Sequence, residues 1–118
     1  VAHTVLVVDD DEDIRESLRM VLEEEGYDVR TAADGAMAVA TMSRERPCFV
    51  VLDLMMPVMN GWEVAGWMRE EARVASVPVA VVTATPEWAP ADSECVLRKP
   101  VDLAELLAVI ERHCGHLH

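Results

Sequence analysis

The alternation of short strand-like runs with longer helical ones constrains this chain more than any other feature. The runs VLVV (5–8), CFVVL (48–52) and PVAVV (78–82) are almost wholly apolar, YDVRT (27–31) alternates, and ECVL (94–97) is shorter. Between them, Ile14, Leu18, Val21 and Leu22 recur at helical spacing up to Gly26, a natural helix stop. Asp34-Gly35 opens a second helix carrying Ala38, Val39 and Met42 before Pro47. Asn60 or Gly61 starts a third, with Val64, Trp67 and Met68 on one face. Asp102 caps the last helix through Leu103, Leu106, Leu107 and Ile110, with Glu105 placed for a capping box. Continuous apolar strands joined by helices imply an α/β fold, a parallel sheet covered on both faces. Ligands of such sheets sit beyond the carboxyl ends of the strands, near a switch in strand order.

Bulk properties narrow the partners. The 118 residues suffice for one domain with a single substantial core, and 52% hydrophobic with 27% charged residues is a globular balance. No apolar run approaches the ~20 residues needed to cross a bilayer, so the chain reads as soluble and cytoplasmic, without a membrane partner. A formal charge of −12 argues against direct nucleic-acid binding, which needs a basic face. It fits a cation site or a basic partner. Cys48, Cys95 and Cys114 are far apart in sequence and form no CxxC pair, so reduced thiols are expected rather than disulfides or zinc.

The strand ends carry the chemistry. Strand one ends in Asp9-Asp10-Asp11, strand three in Asp53, strand four in Thr83, and strand five in Arg98-Lys99-Pro100. Two carboxylates about 4 Å apart repel by ~4 kcal/mol at an effective dielectric near 20. A hard divalent ion relieves this, typically Mg²⁺, with Mn²⁺ as an alternative. A lysine supplies a further point charge able to contact a phosphate. The assembly suits transfer of a phosphoryl group onto a carboxylate, with Asp53 as nucleophile.

Taken together, VLVVDDDEDIRESL, VVLDLMMPVMNGWEV, VVTA and LRKPVD, in this order over nearly the whole chain, resemble the receiver domain of bacterial two-component response regulators. The resemblance implies a single receiver domain over 1–118 with no output domain in this chain. It also implies a flavodoxin-like (βα)5 three-layer sandwich, its five-stranded parallel sheet in order 2-1-3-4-5. On the matching positions, Asp53 would accept a phosphoryl group from the phosphohistidine of a sensor histidine kinase or histidine phosphotransfer protein. Asp9 and Asp10 would hold Mg²⁺ together with Asp53 and the Met55 backbone carbonyl. Thr83 and Lys99 would each meet a phosphoryl oxygen, the Lys99-Pro100 bond would be cis, and an output protein or domain would read the result.

Two positions depart from the family. Val96 stands where an aromatic switch residue is usual, three positions before the lysine. Thr83 and Lys99 are only 16 positions apart, and the intervening TPEWAPADSE contains Pro86 and Pro90, so the fourth helix is expected to be one turn or an irregular loop. Trp88 would then fold onto the sheet or stand partly exposed. The surface that receivers commonly use for dimerisation is altered with it. Met55 and Thr85 flank the site where they could control water access.

Plainer readings apply residue by residue. Asp11 is expected to cap the first helix rather than bind metal. Thr83 alone is an ordinary strand residue, and Lys99 alone a solvated charge. Met55, Met56 and Met59 read as loop packing, while Trp62 and Trp67 should not share a helix face. His113, His116 and His118 read as a frayed terminus able to hold a transition metal adventitiously. Two other functions compete with the receiver. One is a pseudo-receiver, a protein-binding module without phosphorylation. The other is a small phosphatase of the haloacid-dehalogenase type, using Asp9 and Asp11 as a D-x-D pair. Asp13 stands where that motif favours Thr or Val, and Asp53 would have no task in it.

Overall fold

The computed structural model describes residues 3–90, 93 and 95–114. Five strands, β1 (Thr4–Val8), β2 (Asp28–Ala32), β3 (Phe49–Asp53), β4 (Val79–Thr83) and β5 (Cys95–Arg98), form one parallel sheet in order β2-β1-β3-β4-β5. Among the described residues they alternate with α1 (Glu12–Glu24), α2 (Gly35–Arg44), α3 (Gly61–Glu70) and α4 (Leu103–Cys114). The strand order is the flavodoxin-like one expected. The helix expected between β4 and β5 is a single 3₁₀ turn, Pro86–Trp88, the short form that the two prolines dictate. A start of β5 at Glu94 lies outside the described residues, as do His116 and His118.

The three inner strands, β1, β3 and β4, are buried on both faces, so their side chains feed two cores by simple alternation. Val5, Val7, Phe49, Val51, Ala80 and Val82 pack under Leu18 and Leu22 of α1 and Leu106 and Ile110 of α4. Leu6, Val8, Val50 and Leu52 face the other way, onto Ala38 and Met42 of α2 and Val64 and Met68 of α3. Edge strand β2 exposes Asp28 and Arg30, and the Arg30–Glu45 ion pair at 2.8 Å blunts that edge.

Caps set where the helices begin. The Asp11 carboxylate accepts from the N–H groups of Asp13 (2.9 Å) and Ile14 (3.2 Å), the capping role expected of it. Asp34 does the same for Met37 at 2.9 Å, and Asp102 for Glu105 at 3.2 Å. The full reciprocal capping box belongs to α3. Asn60 Oδ1 accepts from Glu63 N–H at 2.9 Å, while Glu63 Oε1 accepts from Asn60 N–H at 3.0 Å. Gly26, at φ 97°, ends the first helical segment in the left-handed region that glycine tolerates. Each cap fixes the loop ahead of its helix, and all four of those loops lie at the carboxyl edge of the sheet.

Candidate functional site

The carboxyl ends of β1, β3, β4 and β5 converge. Asp9 follows β1, and its N–H continues the ladder to Ala32 O at 3.1 Å. Its side chain is buried, one oxygen accepting from Asp11 N–H at 2.9 Å. Asp53 closes β3 and is only 4% exposed, whereas Asp10 is exposed. Carboxylate oxygens of Asp9, Asp10 and Asp53 lie within 4.8 Å of one another. The Lys99 ammonium bridges two of them, 3.2 Å from Asp9 Oδ2 and 3.4 Å from Asp53 Oδ1. Lys99 is held there by its own N–H, which donates to Thr83 O at 2.9 Å, and the following Lys99-Pro100 bond is cis.

Three carboxylates facing one ammonium leave an excess of negative charge, and the titration of the site reflects it. Burial pushes the Asp53 carboxyl up to about 6, and the Asp9 carboxylate adds to the rise; Lys99 and the Met55 N–H pull the other way. For Lys99, burial works against the ammonium, yet Asp53 and Asp9 outweigh it and hold its pKa above the ordinary lysine value. The donor set is hard oxygen, clustered and short of positive charge, which fits a Mg²⁺-sized cation and no soft metal.

Thr83 is buried, its Oγ1 accepting from Thr85 N–H at 3.1 Å and lying 3.3 Å from Thr85 Oγ1. Thr83, Thr85, Met55 and Trp88 help wall a cleft of about 390 Å³ over Asp53 and Lys99. Trp88 is 59% exposed, with its carbonyl accepting from Trp62 Nε1 at 2.9 Å. Trp67 instead packs against the α2/α3 core, so the two α3 tryptophans do face different ways. Met55 corrects an expectation: its side chain is 58% exposed, and only Met56 and Met59 pack onto the core. Val58, in the same loop, has φ 68° and is 81% exposed, a strained conformation for a β-branched residue.

All six sequence-nominated residues, Asp9, Asp10, Asp53, Met55, Thr83 and Lys99, thus gather at one edge. Two contacts escaped the sequence reading. Arg15 donates to the Asp9 carbonyl at 2.8 Å, bracing the loop from one turn into α1, and Arg98 donates to the Ala84 carbonyl at 3.2 Å. Both arginines lie inside the quoted motifs, Arg15 in VLVVDDDEDIRESL and Arg98 in LRKPVD, but nothing in those strings shows that their side chains reach backbone carbonyls; the start of α1 and the β4–β5 register bring them there.

A family model described as the response regulator receiver domain matches residues 5–111. The chain belongs to this family. It is a receiver domain, the phosphorylation-activated switch of two-component signalling, and no observation favours the phosphatase or pseudo-receiver readings. Among curated relatives, it is 36% identical over 118 residues to an uncharacterised 14.6 kDa protein of Leptolyngbya boryana, covering 93% of this chain and 88% of that one. It is 40% identical over 112 residues to the response regulator MprA of Mycobacterium leprae, covering 90% of this chain and 48% of MprA. The chain therefore spans about half the length of such regulators.

Solved receivers agree with the fold. The chemotaxis protein CheY4 of Vibrio cholerae superposes with a TM-score of 0.85 at 30% identity, over 96% of this chain and 99% of that one. The receiver domain of the sensor histidine kinase PA1611 of Pseudomonas aeruginosa reaches 0.89 at 26% identity, over 98% and 99% of the two chains. That neighbour holds a magnesium ion in its active-site cleft. Within this receiver domain, Val96 is half-buried opposite Val81, and the β4–β5 connection has only its 3₁₀ turn among the described residues.

Proposed function

We propose that Asp53 is the phosphoacceptor of a phosphorelay, taking the phosphoryl group from a phosphohistidine of a sensor histidine kinase or histidine phosphotransfer protein. A carboxylate oxygen of Asp53 attacks phosphorus in line. The P–N bond breaks, its electron pair returns to the imidazole nitrogen, and an acyl phosphate is left on Asp53. Asp9, Asp10, Asp53 and the Met55 carbonyl would hold Mg²⁺, or Mn²⁺ in its place. When bound, the ion screens the charge that the phosphoryl oxygens bring into the cleft. The Lys99 ammonium, 3.2 and 3.4 Å from the two buried carboxylates, carries this reading, because it can leave Asp53 for a phosphoryl oxygen without losing Asp9. Thr83 Oγ1 exchanges its Thr85 partners for another phosphoryl oxygen.

With no aromatic ring at Val96, the signal passes through Thr83, Thr85 and the 3₁₀ turn to a downstream output protein or domain. The chain acts as one receiver unit in the cytoplasm, without nucleic acid or membrane as direct partners, and catalyses its own acyl-phosphate formation and hydrolysis.

Intact mass after incubation with acetyl phosphate or phosphoramidate, with and without Mg²⁺, tests the assignment. The expected result is one Mg²⁺-dependent phosphoryl adduct, absent from Asp53→Asn. An adduct that persists in Asp53→Asn would remove Asp53 as acceptor. Failure of the folded chain with both these donors and a phosphohistidine donor would return the pseudo-receiver reading.

A further inference from the structure

A second cluster of ligating side chains stands at the opposite end of the sheet, and phosphoryl transfer makes no use of it. His3 immediately precedes β1, Cys48 immediately precedes β3, and Cys114 ends α4. The backbone fixes two of them side by side: Cys48 N–H donates to Thr4 O at 2.8 Å, and Asp28 N–H donates to His3 O at 3.0 Å. The third comes down the α4 face, one turn beyond Ile110, which is fully buried against the sheet. One donor atom from each residue lies within 4.8 Å of the other two, and all three side chains are half-buried. The two sulfurs, 66 residues apart in sequence, stand 2.7 Å from each other.

We propose that His3, Cys48 and Cys114 form a binding site for a thiolate-preferring transition-metal ion, zinc in the first instance, with water as fourth ligand. Two sulfurs and one imidazole nitrogen are a recurring zinc donor set, and softness separates this site from the all-oxygen cluster around Asp53. The Cys114 thiol donates to the Cys48 sulfur, a contact that holds the Cys48 thiol below its usual range and drives Cys114 up. Loading releases the thiol protons and forms two metal–sulfur bonds and one metal–nitrogen bond. Tetrahedral coordination with bonds of about 2.3 Å separates the sulfurs by about 3.8 Å, so the side chains rotate apart on binding. A disulfide would use only two of the three donors and leave the convergence of His3 unexplained. The site would tie the approach to β1, the approach to β3 and the end of α4 into one unit, on the edge remote from Asp53.

Cobalt titration of the fully reduced chain, with saturating Mg²⁺ to occupy the carboxylates, decides the matter. One equivalent of Co²⁺ should produce sulfur-to-metal charge-transfer absorption and the intense visible bands of tetrahedral coordination, both displaced by Zn²⁺. Cys48→Ser and Cys114→Ala should each cut the charge-transfer band to about half or less, and the double variant should abolish it, at unchanged far-ultraviolet circular dichroism. His3→Ala should keep the band but weaken Zn²⁺ binding roughly 100-fold or more, measured against a chromophoric chelator. Absence of the charge-transfer band in the reduced wild type overturns the proposal, as does a His3→Ala variant of unchanged affinity. Mass loss of two hydrogens on treatment with peroxide, in a chain whose reduced form takes no metal, would make the pair a disulfide couple instead.

Discussion

Asp53 is a carboxylate that the fold holds at a disadvantage. Its ordinary pKa of 3.8 is pushed up to about 6 by burial and by Asp9, despite Lys99. An acid whose pKa is raised on folding binds its proton more tightly in the folded chain than in the unfolded one. Stability without divalent cation must therefore fall as pH rises from about 4 to about 6, and stay lower above that window. The shift corresponds to about 3 kcal/mol, of which a fraction will be visible because neighbouring groups relax. Asp53→Asn removes the titrating group, so its urea-unfolding free energy should lack this slope and exceed wild type near pH 7 in chelator. An Asn variant with the wild-type pH profile would show that other groups set the slope. Lys99 contributes the opposite sign: its raised pKa adds stability throughout this window and loses it only above the ordinary lysine range.

Among the elements, the β3–α3 loop sets the position of Asp53 through one close approach. A Cβ at Gly61 would sit 2.5 Å from the Asp53 carbonyl oxygen and 2.7 Å from Leu54 Cα, both backbone atoms that cannot swing aside. Gly61→Ala should cost about 1–3 kcal/mol and slow phosphoryl transfer, since relief of the clash moves Asp53. Asn60→Ala, one residue earlier, breaks the capping box and should cost about 1 kcal/mol with transfer rates unchanged. Urea midpoints and acetyl-phosphate kinetics on the two variants separate position from helix stability. Equal kinetic effects would mean that the loop, not the glycine contact, governs Asp53. Elements of this kind were legible in the sequence because periodicity and cap chemistry are local. The parallel sheet, the cap at Asp11 and the shortened β4–β5 connection followed from residues a few positions apart. The N-x-x-E pattern of Asn60 and Glu63 is equally local, but the D-x-x-E of Asp102 and Glu105 offers the same signal, and only the structure shows which pair closes both hydrogen bonds. What distance in sequence hides is register: the contact of Cys48 with Cys114 and the brace from Arg98 to Ala84 exist only once strands and helices are set side by side.

On the scale of the whole molecule, a chain of formal charge −12 concentrates three carboxylates around one ammonium at a single sheet edge. Any cation weakly stabilises so acidic a surface by screening, and a built site adds a term that screening cannot supply. An ion that binds only the folded chain stabilises it by RT ln(1 + [L]/Kd), about 2.7 kcal/mol at 100 times Kd. For a domain of this size, about 1 kcal/mol moves Tm by roughly 4 °C, so saturating Mg²⁺ should raise Tm by on the order of 10 °C. Sodium chloride at matched ionic strength should give only a small part of that rise, because exposed charges are already screened within about a 10 Å Debye length at 0.1 M. Asp10→Asn keeps the buried Asp9–Lys99–Asp53 bridge while removing the exposed ligand, and its Mg²⁺-dependent rise should shrink well below that of wild type. If sodium matched magnesium in the wild type, the carboxylate cluster would be a screened acidic surface, and cation-assisted transfer to Asp53 would lose its physical basis. A magnesium-specific rise that Asp10→Asn diminishes would instead tie global stability to the carboxylate oxygens proposed to hold the ion.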